Sequence, residues 1–295
     1  MFDKIIGNEE IQNLLKQAIK NNRTSHSYLF VGTEGIGKKQ IAKEFAKALL
    51  CLNSNKYCNT CKSCIEFDDN NNPDFVILEP DENSIKIEQI RELQRKVVEK
   101  PIISSQKVYI IDNSDKMTTE AQNCLLKTLE EPPKYITIIL VGTNENAFLS
   151  TIKSRCTILR FKDIPQYKIE EYLDTKQIYF KDKRILKACG GSIGKALEIK
   201  DRQEEYENIH EFIENLAQEN IIDIFQKTQI LYNSKERIQD ILQYINILLL
   251  ELAKENYKYS ECIEIVEDTK KRLQSNANYD MTIDNMLLKM KEKTR

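Results

Sequence analysis

The segment from Gly32 to Lys38 has the composition of a loop that wraps phosphates. Its three glycines are Gly32, Gly35 and Gly37. They allow backbone N–H groups to face a phosphate chain, and Lys38 can reach the terminal phosphates. The intact motif continues with a Ser or Thr whose hydroxyl binds Mg²⁺, but here the next residue is Lys39. Because an ammonium group has no lone pair for a metal, we predict a nucleotide-type loop without its metal ligand. ATP binding by this loop is left open at the level of sequence.

Four cysteines follow closely after this loop. They are Cys51, Cys58, Cys61 and Cys64. Two overlapping Cys-x-x-Cys steps let neighbouring thiolates converge on one tetrahedral ion. An iron–sulfur cluster is the nearest rival, but the bacterial pattern places its fourth cysteine downstream and before a proline. We therefore predict one structural zinc ion per chain, and four buried thiols without a metal are the alternative.

An apolar run over residues 108–111 ends in Asp112, the position from which P-loop enzymes help to hold Mg²⁺. ATPases of this type place a glutamate next, to activate water, whereas this chain has Asn113. An amide cannot take a proton from water. The metal-binding hydroxyl and the general base are therefore both missing, and we expect no ATPase activity from the chain alone.

Three further polar residues are candidates for phosphate contacts. Asn144 follows another apolar run and could sense a γ-phosphate, although a plain strand-to-turn exit accounts for it equally well. Arg155 lies in Ser154-Arg155-Cys156, and Lys195 follows a glycine pair. A solvated or ion-paired surface role is the alternative for both. His26 is interpreted as structural, because neither a Ser nor a Cys is identifiable as its nucleophilic partner.

Short apolar runs alternate with helical patterns in the first half, which predicts a parallel sheet covered by helices. The runs of buried-strand length are 28–31, 75–78, 108–111 and 136–141. A helix is predicted over 38–50, with its N-terminus facing the glycine loop. Another is predicted to begin with a capping box of Thr119 and Gln122 and to stop at Pro132-Pro133. We expect a sheet of four or five strands.

Helices are predicted to replace strands in the second half. From about Pro165 to Lys200, short helices around Gly190-Gly191-Ser192 indicate a small lid. The tail after Gly194 has neither glycine nor proline and should be helical. Apolar residues at helical spacing over 238–252 predict a buried helix, with Asn233 and Glu236 capping its start. The predicted domains are 1–163, with the cysteine module at 51–64, then 164–202 and 203–295.

Composition excludes several classes of protein. The net charge is −2, which is unlike a strongly basic nucleic-acid binder, so any DNA contact should be local or shared with partners. The chain has no apolar run long enough to cross a membrane, and its first residues carry charges where a signal peptide is apolar. The eight cysteines then indicate metal binding or burial before disulfides. We expect a soluble cytoplasmic protein without membrane contact.

In this order the motifs resemble those of the AAA+ clamp-loader subunits of bacterial DNA polymerase III, over roughly residues 1 to 200. The segments that carry the resemblance are Ile6-Gly7-Asn8, His26-Ser-Tyr28-Leu-Phe30, the P-loop, the four cysteines, Val108-Tyr-Ile-Ile-Asp112, Ala121-Gln-Asn123-Cys-Leu-Leu126-Lys-Thr-Leu-Glu130-Glu-Pro-Pro133 and Ser154-Arg155-Cys156.

The resemblance implies an α/β P-loop (AAA+) domain with a parallel sheet and an inserted zinc module, then a small helical lid and an all-α C-terminal collar domain. It implies that Arg155 acts in trans on ATP held by a neighbouring motor subunit. Lys195 falls near a phosphate-sensing residue of the lid that is usually Arg, which puts bidentate contact in doubt. The implied partners are gamma/tau and delta subunits in a hetero-pentameric ring, which loads the sliding clamp onto primed DNA.

The departures at Lys39 and Asn113 bear on the choice within this family. A gamma/tau motor needs both the hydroxyl and the glutamate, whereas the stator class, delta-prime, can dispense with both. We therefore expect a stator that does not hydrolyse ATP and supplies Arg155 to the adjacent site. One alternative is an ATP-hydrolysing gamma/tau-type motor with another Mg²⁺ ligand. The other is a P-loop-derived binding scaffold outside replication.

Overall fold

The computed structural model describes residues 1–3, 5–54, 56–180, 182–275 and 277–294. Their contacts divide the chain into two units. The first comprises Met1–Lys168 with Ser192–Gly194, and the second Ile169–Gly191 with Lys195–Arg295. The division into three domains at 163 and 202 stays a prediction. None of the described helices combines the length and the apolar character that a bilayer span requires.

The first unit is built on a five-stranded sheet in which every neighbouring pair is parallel. The strands are β1 (Ser27–Val31), β2 (Phe75–Leu78), β3 (Lys107–Ile111), β4 (Ile136–Gly142) and β5 (Thr157–Arg160). Their order across the sheet is β2-β3-β4-β1-β5. The three central strands are buried along their whole length, as their continuous apolar runs predict. The predicted parallel α/β sheet is confirmed, with five strands.

The first unit also contains helices. They are α1 (Glu9–Lys20), α2 (Lys38–Leu50), α3 (Lys62–Asp68), α4 (Ile87–Val97), α5 (Thr119–Glu130) and α6 (Ser150–Lys153), and α7 (Gln166–Thr175) begins at the end of this unit. The bounds of α2 are those that the sequence predicts. On one side of the sheet, Leu93 of α4 and Leu125 of α5 join Tyr109 and Ile138 of the strands in a single apolar core. This core holds the carboxyl ends of the strands in fixed positions.

The start of α5 differs from the predicted one. Thr118, rather than Thr119, is the N-cap, and its side chain accepts a hydrogen bond from a backbone N–H of the first turn. Gln122 does not complete a capping box. Its amide nitrogen donates to the carbonyl of Ala147 at 2.9 Å, and its oxygen accepts from the N–H of Leu149 at 2.9 Å. Gln122 therefore fastens α5 to the segment that leads into α6.

The second unit is helical in the described residues. After most of α7 it contains α8 (Lys183–Ala188), most of α9 (Ile193–Lys200), α10 (Gln203–Asn215), α11 (Ile221–Lys227), α12 (Gln229–Tyr232), α13 (Ile238–Glu255), α14 (Lys258–Gln274) and α15 (Tyr279–Thr294). Helix α13 is buried along its apolar face and packs against α8, α10 and α14. The helical tail that composition predicts is confirmed.

The predicted cap of α13 is wrong. The N-cap is Arg237, and neither Asn233 nor Glu236 holds that position. The chain enters α13 from a 3₁₀ turn over Lys235–Arg237, in which the N–H of Arg237 donates to the carbonyl of Ser234 at 2.9 Å. A helix that continues a 3₁₀ turn begins from backbone hydrogen bonds, so a separate capping side chain is not needed there.

Candidate functional site

The glycine loop joins β1 to α2 at the carboxyl end of the sheet. Gly32, Gly35 and Gly37 have φ angles of 155°, 73° and 92°, which side chains rarely adopt. A Cβ atom on Gly32 would lie 2.8 Å from the carbonyl oxygen of Phe161. The N–H of Gly194 donates to the carbonyl of Gly35 at 3.0 Å, and a Cβ on Gly194 would lie 2.8 Å from the Cα of Gly35. These close approaches hold the loop in one shape.

Lys38 is turned onto the loop itself. Its Nζ atom donates to the carbonyls of Gly32 and Thr33, both at 2.6 Å. The residue is 6% exposed, and this burial lowers the pKa of Lys38 against the attraction of Glu34 and other carboxylates. In a phosphate-binding loop the same ammonium group donates to the terminal phosphates. Here, two of the three N–H groups of the ammonium donate to carbonyl groups of the loop instead.

Lys39 extends from α2 to two carboxylates at the carboxyl ends of β2 and β3. Its Nζ atom lies 2.8 Å from Oδ2 of Asp112 and also forms an ion pair with Glu79. Glu79 and Asp112 directly follow Leu78 and Ile111, which are paired in the sheet, so both carboxylates lie at the same end of the sheet. Burial opposes the charge of Lys39, but the hydrogen bonds to Asp112 and Glu79 outweigh it and raise its pKa. The same contact lowers the pKa of Glu79.

The residues around the predicted sensor Asn144 are tied to each other. Asn113, where an ATPase of this type has Glu, adopts a left-handed conformation at the start of a 3₁₀ turn. Asp115 in that turn accepts from the hydroxyl of Thr143 at 2.6 Å and from the N–H of Asn144 at 3.2 Å. The side chain of Asn144 caps the next 3₁₀ turn by accepting a backbone N–H at 2.9 Å. Phosphate sensing by Asn144 stays a prediction.

Arg155 lies at the surface between α6 and β5. Its Nη2 atom lies 2.6 Å from Oε1 of Glu130, and its Nη1 atom donates to the carbonyl of Thr151 at 3.0 Å. The side chain is 33% exposed and that of Glu130 is 48% exposed. The backbone of Arg155 is fixed because its carbonyl accepts the hydroxyl of Ser27 at 2.5 Å. The guanidinium group is thus oriented while it still faces solvent.

Lys195 and His26 are the two remaining candidates. Lys195, in the second unit, forms an ion pair with Asp240. Its role as a phosphate sensor stays a prediction. Nδ1 of His26 lies 3.2 Å from the carbonyl of Ile136, which links the chain ahead of β1 to the start of β4. This contact agrees with the structural interpretation of His26.

The four cysteines converge on one point. Cys51, Cys58, Cys61 and Cys64 have sulfur atoms that all lie within 4.8 Å of one another. The sulfurs of Cys51 and Cys58 are 3.6 Å apart. With Zn–S bonds of about 2.3 Å, a tetrahedral site needs sulfur–sulfur distances of roughly 3.8 Å. The donor set therefore fits a single metal ion held by four thiolates, and zinc is the identity we propose.

Local hydrogen bonds prepare the exposed side of this cluster for an ion. Contacts from Thr60, and the N–H of Cys61 at 3.3 Å, lower the pKa of Cys58 to about 5. Burial raises the pKa of Cys64 to about 12. A divalent cation among the four sulfurs would stabilise the thiolate form of each. This arrangement is typical of a closed, structural site.

The cysteine module is anchored to the sheet by a small polar network. The hydroxyl of Ser104 donates to the carbonyl of Leu50 at 2.7 Å and lies 3.0 Å from the hydroxyl of Ser63. The buried carboxylate of Asp74 accepts three successive N–H groups, those of residues 102–104, at 2.7, 2.8 and 2.7 Å. These bonds fix the segment that carries Ser104, and with it the start of α3.

Sequence reasoning misses three partners of the predicted residues. Glu79 had a recognisable signal, because it is a carboxylate directly after an apolar run, as Asp112 is. Glu130 lies within a motif that resembles the family, but its pairing with Arg155 depends on how α5 and α6 pack. Asp115 had no signal beyond its position four residues after the end of β3.

Two comparisons with known proteins bear on this architecture. A family model described as DNA polymerase III, delta subunit, matches residues 7–165. The Bacillus subtilis protein named DNA polymerase III subunit delta' is 30% identical over 316 aligned residues, which cover 96% of this chain and 95% of that protein. The chain belongs to the clamp-loader subunit family of DNA polymerase III.

Other members of the clamp-loader family match a shorter part of the chain. The DNA polymerase III subunit tau/gamma of Haemophilus influenzae is 35% identical over 210 residues, which cover 68% of this chain and 30% of that protein. A DNA polymerase III gamma-subunit-related protein from Thermotoga maritima has a crystal structure that matches with a TM-score of 0.51. That match covers 96% of this chain and 99% of the other at 19% identity, so it shows a shared fold.

Proposed function

We propose that this clamp-loader family member is the delta-prime subunit, a stator that does not hydrolyse ATP. The observation that carries the proposal is the contact of Lys39 with Asp112 and Glu79. The position that should supply a hydroxyl to Mg²⁺ supplies a cation, and Asn113 stands in place of the catalytic base. The relative named delta' also aligns along nearly the whole chain, which supports the same choice.

In this proposal Arg155 acts on ATP that a neighbouring subunit binds. The guanidinium group is at the surface and is already oriented by Glu130 and by the carbonyl of Thr151. A guanidinium group placed against the charge that develops on a γ-phosphate speeds hydrolysis by about 10³-fold or more in other systems. A subunit that does not hydrolyse ATP itself but carries such a group controls when its neighbour hydrolyses ATP.

The partners follow from the family. We propose a hetero-pentameric ring with gamma/tau and delta subunits, which loads the sliding clamp onto primed DNA. The chain reaches clamp and DNA through that complex. Residues 1–163 are the AAA+ core, 164–202 the lid and 203–295 the collar domain that joins the ring. Zinc at the four cysteines has a structural role.

A gamma/tau-type motor is the competing function, and the identity with the Haemophilus influenzae tau/gamma protein is the observation in its favour. Measuring ATP turnover of the isolated chain distinguishes the motor from the stator. A motor hydrolyses ATP at a rate that Lys38→Ala abolishes, whereas the proposed stator shows no turnover that depends on Lys38. A scaffold outside replication would instead fail to associate with loader subunits.

Reconstitution tests the proposal directly. The chain is combined with the gamma/tau and delta subunits of its own organism, and complex formation is measured by size-exclusion chromatography with light scattering. Clamp loading onto primed DNA is measured in parallel. We expect a stable complex in which loading requires this chain. Failure to assemble, or full loading without the chain, would contradict the proposal.

A further inference from the structure

P-loop ATPases hold Mg²⁺ between the hydroxyl that follows the P-loop lysine and a carboxylate at the end of a neighbouring strand. In this chain the corresponding residues are Lys39 and Asp112. Mg²⁺ requires oxygen ligands at about 2.0–2.1 Å in octahedral geometry. Lys39 offers no such ligand, and its Nζ atom is already 2.8 Å from the carboxylate. These residues do not fit a Mg²⁺ ion.

The positive charge of Lys39 also excludes Mg²⁺, in addition to the absence of the hydroxyl ligand. A Mg²⁺ ion bound to Oδ2 of Asp112 would lie no further than about 5 Å from the Nζ atom of Lys39, given metal–oxygen bonds of about 2.1 Å. The two cations would repel each other in a partly buried place where screening by water is weak. The metal could enter only if Lys39 first withdrew.

The ammonium group of Lys39 also performs the electrostatic task of a metal. The side chain of Asp112 is only 12% exposed, so its carboxylate needs a nearby positive charge. Glu79, which is 58% exposed, completes a three-membered group on the same ammonium. Lys38 donates to the loop carbonyls rather than to these carboxylates, so Lys39 supplies the compensating cation.

We propose that Lys39 is a built-in cation that takes the place of Mg²⁺ in this P-loop and closes the site to divalent metal ions. This role of Lys39 gives a physical cause for the absence of ATP hydrolysis, and in that respect it rests on the proposed function. Its test uses the isolated chain, however, whereas the stator role is tested in the assembled loader. Either can therefore fail without the other.

The test compares wild type with Lys39→Thr, which restores the hydroxyl of the motif, and Lys39→Arg, which keeps the charge. Binding of Mn²⁺, a paramagnetic substitute for Mg²⁺, is measured by electron paramagnetic resonance of the free ion. Thermal unfolding is recorded in parallel with and without MgCl₂. Chelators are omitted from all samples, because they would also remove metal from the cysteine site.

We expect wild type and Lys39→Arg to bind no Mn²⁺ at Asp112 and to show the same Tm with and without MgCl₂. Lys39→Thr should unfold at a lower temperature, bind about one Mn²⁺ per chain, and recover about 2–4 °C in MgCl₂. The double variant Lys39→Thr with Asp112→Asn should lose both responses.

Two outcomes would overturn the proposal. The first is Mn²⁺ binding by wild type that Asp112→Asn abolishes, because it would mean that the metal enters despite Lys39. The second is a Lys39→Thr variant that has the wild-type Tm and binds no Mn²⁺. In that case the ammonium group of Lys39 would not be stabilising the Asp112 carboxylate in place of a metal.

Discussion

Nη2 of Arg155 lies 2.6 Å from Oε1 of Glu130, the last residue of α5. The partial negative charge at the C-terminus of a helix favours a cation there, so the ion pair and the helix end act in the same direction. A second guanidinium nitrogen is held by the carbonyl of Thr151. The arginine proposed to act on a neighbour is thus oriented before any neighbour is present.

Replacing Glu130 by Gln keeps the size of the side chain and removes its charge. We expect the ATPase rate of the reconstituted loader to fall by up to about five-fold, because an exposed ion pair contributes about 0.2–1 kcal/mol. The rate is measured at steady state with clamp and primed DNA. Glu131→Gln, one residue further and exposed, is the matched control and should leave the rate unchanged. A faster rate in Glu130→Gln would mean that Glu130 competes with phosphate instead of orienting Arg155.

The cysteine cluster predicts one zinc ion per chain. Cys61→Ser should remove the metal and lower the Tm, because a structural zinc site contributes directly to the free energy of folding. Metal content is measured by atomic spectroscopy on freshly purified protein. Cys124→Ser is the control, since Cys124 lies on α5 and donates to the side chain of Gln94 outside the cluster. Iron in wild type, or an unchanged zinc content in Cys61→Ser, would refute the site.

Asp74 should be one of the most sensitive positions outside the P-loop. In Asp74→Asn a single oxygen must serve three backbone N–H groups, and the new NH₂ group faces donors. We expect the free energy of unfolding to fall by about 1.5–3 kcal/mol, measured by urea denaturation. Asp69→Asn, an exposed change nearby, should stay within about 0.5 kcal/mol of wild type. Equal stability of the two variants would mean that the Asp74 network contributes little.

The sheet and the metal cluster could be predicted because their signals are local. Parallel strands buried on both faces read as unbroken apolar runs, and cysteines three residues apart can reach one ion without knowledge of the rest of the fold. The P-loop glycines and the departures at Lys39 and Asn113 are likewise visible in the sequence itself.

The partners of the site residues could not be predicted because they depend on how elements pack. Lys39 meets Glu79, 40 residues away, because α2 packs against β3 and β2 is the neighbour of β3 in the sheet. Arg155 meets Glu130 because α5 packs against α6. The sequence predicts the cap of α5 one residue too late, because Thr118 and Thr119 are adjacent and only the backbone geometry distinguishes them.

The ATPase rate of a loader assembled with Arg155→Ala decides whether Arg155 acts on a neighbouring subunit. We predict a rate at least about 10³-fold below wild type at the neighbouring site, with assembly and zinc content unchanged. Lys153→Ala, a basic residue on the preceding helix, should keep the wild-type rate. A loader with Arg155→Ala that hydrolyses ATP and loads clamps as fast as wild type would show that Arg155 does not act in trans.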